Sequence, residues 1–174
     1  FMRSRGLGDV YKRQVLLKGR KNYLCRTRLN WLISDSKTLD ELDIEALIPI
    51  LFWLYWTKTG DIHECSGFLN TRRNWLKSMI SSDTGFCTSE VCKKNKGCYY
   101  GQLKKSSFQS RIIVANHSLL MTNVSQEGLL PLFNSVIIDE AHNIVRAAYE
   151  QFKIEWSEQN VSYQLQSIDP SHPM

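Results

Sequence analysis

The sequence predicts an α/β chain: part of a parallel sheet, interrupted by a mainly helical segment that bears cysteines. Three observations carry this. Ile112, Ile113, Val114 and Ala115 form an apolar run that stops at Asn116 and His117. Val136, Ile137 and Ile138 form another that stops at Asp139. Runs apolar on both faces and bounded by polar residues suit central strands of a parallel sheet, and Leu119 to Leu132 supplies a helical crossover of suitable length between them. The third observation is GFCTSEVCKKNKGCYY, residues 85–100, which is too polar and lysine-rich to be core.

Taken in order, Ser4 to Gln14 (SRGLGDVYKRQ) reads as a translated sequencing adapter. Residues 1–14 are therefore set aside, and the natural chain is expected to begin near Val15. Val15 to Leu17 predicts a short strand that ends in the basic turn Lys18, Gly19, Arg20. Asn22 to Leu32 carries Tyr23, Leu24, Trp31 and Leu32 and predicts a short helix starting near Cys25. Thr38 with Glu41 three residues on fits a capping box, and Leu39, Leu42, Ile44 and Leu47 follow at near-helical spacing. Pro49 is expected to kink or interrupt that helix. The longest apolar run, Ile44 to Trp56, contains Glu45 and Pro49 and falls short of the ~20 residues of a membrane span. It predicts a buried helix whose aromatic residues are covered. Asp61 to Phe68 is irregular and includes His63 and Cys65, and Asn70 to Ile80 predicts a basic helix with Trp75, Leu76, Met79 and Ile80 on its apolar side. Gly101 to Arg111 reads as polar helix or loop, and a further helix is expected from beyond Asn143 to about Phe152.

Charge and cysteine usage narrow the class. The chain carries 22 basic and 17 acidic residues, a net +5, of which +3 falls in residues 1–14. Local charge is more telling, because Phe68 to Arg111 holds nine Lys/Arg against Asp83 and Glu90. A solvated face accounts for part of that density. With Trp75, Tyr99 and Tyr100 close by, it also suits phosphate contact plus base stacking, and Arg20, Lys93, Lys94 and Tyr99 are the candidate nucleic-acid contacts. Five cysteines, an odd number, without a secretory leader, argue against a disulfide framework. The expectation is a soluble, cytoplasmic monomer without a membrane partner.

Two constellations carry chemistry. Cys87, Cys92 and Cys98 are separated by four and five residues, with Gly85 and Gly97 to let the chain turn, and Cys25 is a fourth candidate far upstream. Soft thiolates select zinc or an iron–sulfur cluster, and a cluster usually takes four of them. The second constellation is VIIDEAHNI, Val136 to Ile144. A buried strand ending in two acids delivers them to the carboxyl edge of a sheet, where α/β folds bind ligands. Asp139 is then placed to hold Mg²⁺, Glu140 to polarise the water that attacks a γ-phosphate, and His142 to sense the nucleotide. An ordinary acidic helix N-terminus after a strand is the plainer alternative.

DEAH together with this cysteine pattern resembles the iron–sulfur helicases of superfamily 2, the XPD/DinG group, and the cysteine spacing is most similar to bacterial DinG. LLKGRKNYLC, Leu16 to Cys25, matches the stretch that supplies the first cluster cysteine in that family, and IIVANHSLL, Ile112 to Leu120, matches its strand with an Asn-His pair. The resemblance covers Leu16 to about Tyr149. It implies a 4Fe-4S cluster held by Cys25, Cys87, Cys92 and Cys98, with Mg²⁺ and ATP at Asp139 and Glu140. The fold it implies is a partial RecA-like, P-loop NTPase sheet with an inserted iron–sulfur domain. In that division residues 15–24 are a strand of the first RecA-like domain, 25–110 the cluster domain, 111–150 the remainder with DEAH, and 151–174 the start of an arch-like insertion. Single-stranded or forked DNA is the implied partner, with 5′-to-3′ unwinding. Cys65 matches no ligand position, and His117 is expected in a structural or DNA-coupling role.

The departures matter as well. No GxxxxGK[ST] phosphate loop occurs in the 174 residues, nor does the family's second RecA-like domain with its arginine finger. The chain reads as a fragment that hydrolyses ATP at no useful rate alone. A non-enzymatic zinc module that binds nucleic acid is the alternative reading, and a parent with an exonuclease domain upstream is a third.

Overall fold

The computed structural model describes residues 14–35, 39–94, 97–126, 128–154 and 157–158. Strand β1 (Gln14–Leu17) pairs in parallel with β2 (Ile112–Ala115), Gln14 opposite Ile112 and Leu17 opposite Ala115. Gln14, assigned to the adapter by sequence, thus opens the strand; ladder bonds are made by the backbone, so any residue other than proline serves there. A parallel pair needs a long crossover, and here the crossover is the whole cysteine-bearing segment.

That segment is helical. It comprises α1 (Arg26–Ser34), α2 (Glu41–Trp53), the short α3 (Ser66–Leu69), α4 (Asn74–Ile80), α5 (Ser89–Lys94) and α6 (Tyr99–Ser107). After β2 come α7 (His117–Ser125) and α8 (Ile144–Phe152). Asp40, not Thr38, caps α2: its carboxylate accepts from the Asp43 N–H at 2.6 Å, and Asp43 accepts from the Asp40 N–H at 3.2 Å. Thr38 lies outside the described residues. The box is displaced because Asp43 is itself buried and held by Arg73 at 2.7 Å, which anchors the start of the helix. Helix α2 runs on through Pro49.

Two cores result. Leu29 and Leu32 of α1, Ala46, Leu47 and Ile50 of α2, Phe68 of α3 and Leu76 and Ile80 of α4 enclose Leu24, Ile62, Cys65 and Tyr99. Leu17, Tyr23, Tyr100, Leu119 and Leu130 form the second, beneath the strand pair.

Three expectations are corrected here. Val136 to Ile138 forms no strand: the described sheet has two strands, β2 takes β1 as its parallel neighbour, and Val136 and Ile137 are exposed. An apolar run has no strand state without a ladder to complete it. The sheet is also covered on one face only, since Leu16, Ile112 and Val114 are exposed opposite the buried Leu17. Finally, the Ile44–Trp56 run buries a single stripe. Ala46, Leu47 and Ile50 face the core, whereas Phe52, Tyr55 and Trp56 are 72%, 89% and 79% exposed.

Among the glycines of the described residues, Gly60 is the most closely approached. Its φ is +67°, and a Cβ there would lie 2.1 Å from Cγ of Tyr99. Gly60→Ala is expected to destabilise the chain by roughly 2–4 kcal/mol, from left-handed strain plus overpacking. Urea unfolding followed by circular dichroism checks this, and a loss below about 1 kcal/mol would show that Tyr99 can move aside.

Candidate functional site

Two residues of extended chain carry Cys25 to the other cysteines. The Leu24 N–H donates to the Gly60 carbonyl at 2.9 Å, the Cys25 N–H to that of Ile80 at 2.8 Å, and the Ser82 N–H to that of Tyr23 at 2.8 Å. Tyr23 bridges Asp61 and Leu24 bridges Ser81, both antiparallel. Tyr23 and Leu24 are thereby stitched between the turn before Ile62 and the end of α4, and the cysteine loop begins just beyond.

Each cysteine then has a defined local place. Cys25 stands at the N-cap of α1. The Cys87 N–H bonds the Asp83 carbonyl at 2.9 Å, and the Cys92 N–H, in α5, bonds that of Thr88 at 3.0 Å. Cys98 caps α6, its Sγ accepting from the Gly101 N–H at 3.3 Å. All four line one pocket, together with Arg26, Arg28, Trp31 and Phe86. They are half-buried, whereas Cys65 is buried in the first core, where desolvation pushes its thiol up. Burial pushes the Cys92 thiol up to about 11, and the neighbouring thiols of Cys87, Cys98 and Cys25 add to the shift. Among the described residues, no three His, Cys, Asp or Glu side chains are grouped so as to hold a metal ion.

Arg26 and Arg28 were not singled out by sequence reasoning, although CRTR places them one and three residues after Cys25. Arg26 donates to the Tyr99 hydroxyl at 2.5 Å and lies 4.7 Å from the centre of the Tyr99 ring. Arg28 donates to the Ser81 carbonyl at 2.6 Å and lies 4.6 Å from the Phe86 ring.

The acidic motif is less built. Asp139 and Glu140 are exposed, at the end of a segment without a strand partner. The sheet edge expected to present them is absent among the described residues, because Val136 to Ile138 joins no ladder. Two contacts order the turn: the Asp139 carboxylate accepts from the Glu140 N–H at 2.9 Å, and Nε2 of His117 meets the Asp139 carbonyl at 2.9 Å. His142 Nδ1 lies 3.4 Å from the Glu140 carboxylate. Glu140 has a left-handed backbone, φ 48°, a conformation that costs about 1–3 kcal/mol for a residue with a Cβ.

The nucleic-acid candidates fare unevenly. Tyr99 is 5% exposed and engaged by Arg26, so its ring is not open to a base. It points inward because α6 closes the first core. Arg20 is half-buried and lies 4.9 Å from the Tyr100 ring. The side chains of Lys93 and Lys94, and Lys96 altogether, lie outside the described residues. Part of the basic density is paired within the chain, since Arg73 bridges Asp40 and Asp43.

A mixed α/β chain whose parallel strand pair stands beside converging cysteines, and which goes on to a DEAH turn, points to the XPD/DinG class of helicases. The family model for DEAD_2 matches residues 59–161, more than half of the chain, and the chain belongs to that family. It is similar to the ATP-dependent DNA helicase YoaA of Haemophilus influenzae, with 30% identity over 143 residues, covering 79% of this chain and 22% of that protein. It is also similar to the 3′-5′ exonuclease DinG of Bacillus subtilis, with 29% identity over 138 residues, covering 78% of this chain and 14% of that one. The chain therefore spans less than a quarter of the length of these relatives.

The raised Cys92 thiol has a measurable consequence. A thiol with its pKa above the ordinary value holds its proton at neutral pH, and the thiolate is the reactive form. In metal-free chain at pH 8, alkylation of Cys92 by iodoacetamide is expected to lag a free cysteine by on the order of a hundredfold. The rate should climb with pH toward about 11. Mass spectrometry of labelled peptides across pH reads this, and a plateau near pH 9 would contradict it.

Proposed function

We propose that this chain is part of an ATP-dependent DNA helicase that unwinds 5′ to 3′, with Cys25, Cys87, Cys92 and Cys98 holding a 4Fe-4S cluster beside the DNA path. The observation that carries the reading is the single pocket lined by all four cysteines, one of which arrives from about sixty residues away. The donor set fits such a cluster: four thiols, no competing carboxylate in the lining, and two arginines to offset anionic charge. The same four thiols would serve zinc, so metal content separates the cluster from the zinc module.

The cluster, when bound, supplies a covalent cross-link between the start of α1, the loop before α5 and the start of α6. The remaining roles belong to this chain's residues. Asp139 is the proposed ligand of Mg²⁺ accompanying ATP, and Glu140 the proposed group that orients the attacking water. His117, bonded to the Asp139 carbonyl, is the proposed positioning residue for that turn, and His142 lies close enough to Glu140 to respond to its charge. DNA contact is proposed for Lys93, Lys94 and Arg20, with Tyr99 serving instead as internal support.

The test is the metal content of chain purified without oxygen. Broad visible absorption with near-equal iron and sulfide is expected, lost in Cys25→Ser and retained in Cys65→Ser. A colourless, zinc-loaded chain would favour the non-enzymatic module. Lacking a phosphate-loop lysine, the 174 residues are expected to show no DNA-stimulated ATPase above background in a phosphate-release assay. Measurable turnover would contradict this.

A further inference from the structure

We infer that Arg28 and Arg26 are charge-balancing residues that set the reduction potential of the centre in the cysteine pocket; this rests on the reading above that the centre is an iron–sulfur cluster. Both stand in the first turn of α1, the helix end whose dipole is positive and where cations are disfavoured. No acidic residue shares that turn. Their placement is nonetheless rigid. Arg28 is pinned between the Ser81 carbonyl and the Phe86 ring, and Arg26 between the Tyr99 hydroxyl and ring.

Among the described residues no carboxylate is in direct contact with either guanidinium, and the pocket lining contains no Asp or Glu. Asp83 feels Arg28 at longer range, but its carboxyl is held low chiefly by the Gly85 N–H. Helix α6 adds a second positive end, with the Gly101 N–H on Cys98 Sγ. Two helix N-termini and an N–H···S bond thus stand at one pocket, whose lining also includes Arg26 and Arg28.

An anion in the pocket would offset that positive charge. A cluster with four thiolates is anionic and gains one further negative charge on one-electron reduction, so positive charge around it favours the reduced form and raises the potential. Arg28 is half-buried and Arg26 exposed. Solvent screens the more exposed charge, which makes Arg28 the stronger of the two.

The experiment is a redox titration of the reconstituted 174-residue chain with dithionite as the reductant, read by visible absorption and by the paramagnetic signal of the reduced cluster. Wild type, Arg28→Gln, Arg26→Gln and Arg28→Lys are compared. Arg28→Gln is expected to lower the one-electron reduction constant about tenfold, a shift of about 59 mV to lower potential. Arg26→Gln should shift less in the same direction, and Arg28→Lys should stay near wild type. If Arg28→Gln takes up no cluster while Arg28→Lys does, positive charge is needed even to hold it, which supports the assignment. Unchanged potentials in both glutamine variants would overturn it, as would Arg28→Lys shifting, or failing to load, as fully as Arg28→Gln. A wild-type chain that takes up no iron and sulfide would sink the cluster reading and this inference together; intact uptake with unmoved potentials would sink only the arginines.

Discussion

The place of Cys25 in the cysteine pocket depends on three backbone hydrogen bonds, Leu24 to Gly60, Cys25 to Ile80 and Ser82 to Tyr23. Closing a loop of this length is entropically costly. The cost is met by burial: Leu24, Ile62, Leu76 and Ile80 are each 1% exposed or less and sit around the stitched segment. The bonds also protect buried backbone groups that have no helix to satisfy them. Cys25 is thus delivered to the pocket by the fold, before any metal is considered.

The same stitching joins the pocket to the strand pair. Lys18, just past β1, pairs with the buried Asp61, and its N–H donates to the Tyr23 hydroxyl at 2.9 Å. Tyr23 packs on Tyr100 of α6, with ring centres 5.7 Å apart. From β2 the chain passes into α7, whose first residue, His117, reaches the Asp139 carbonyl. A contiguous set of contacts therefore runs from the thiols, through the end of β1, to the DEAH turn.

Much of this was legible in the sequence, for identifiable reasons. The cysteines, β2 and α8 are local patterns in which residue type and spacing state the structure directly. Helix α1 begins next to Cys25 as expected. The capping box moved from Thr38 to Asp40 because the burial of Asp43 and its bond to Arg73, a contact across thirty residues, decide where the helix starts. Val136 to Ile138 has the composition of a strand, but pairing is a property of a neighbour, and its hydrophobicity cannot name one. Tyr99 looked like a stacking residue among lysines, yet Gly60 leaves space for its ring, and nothing local to Tyr99 reveals that. The arginines of the pocket were visible in CRTR, where two cations in the first turn of a helix are the anomaly to notice.

The central claim is that Cys25 shares one multi-iron centre with Cys87, Cys92 and Cys98. Iron-edge X-ray absorption of the loaded chain tests it most directly. The expected spectrum has a first shell of sulfur alone plus a short iron–iron vector, with loss of that vector in Cys25→Ser. A first shell containing nitrogen or oxygen, or an iron–iron vector indifferent to Cys25, would contradict it.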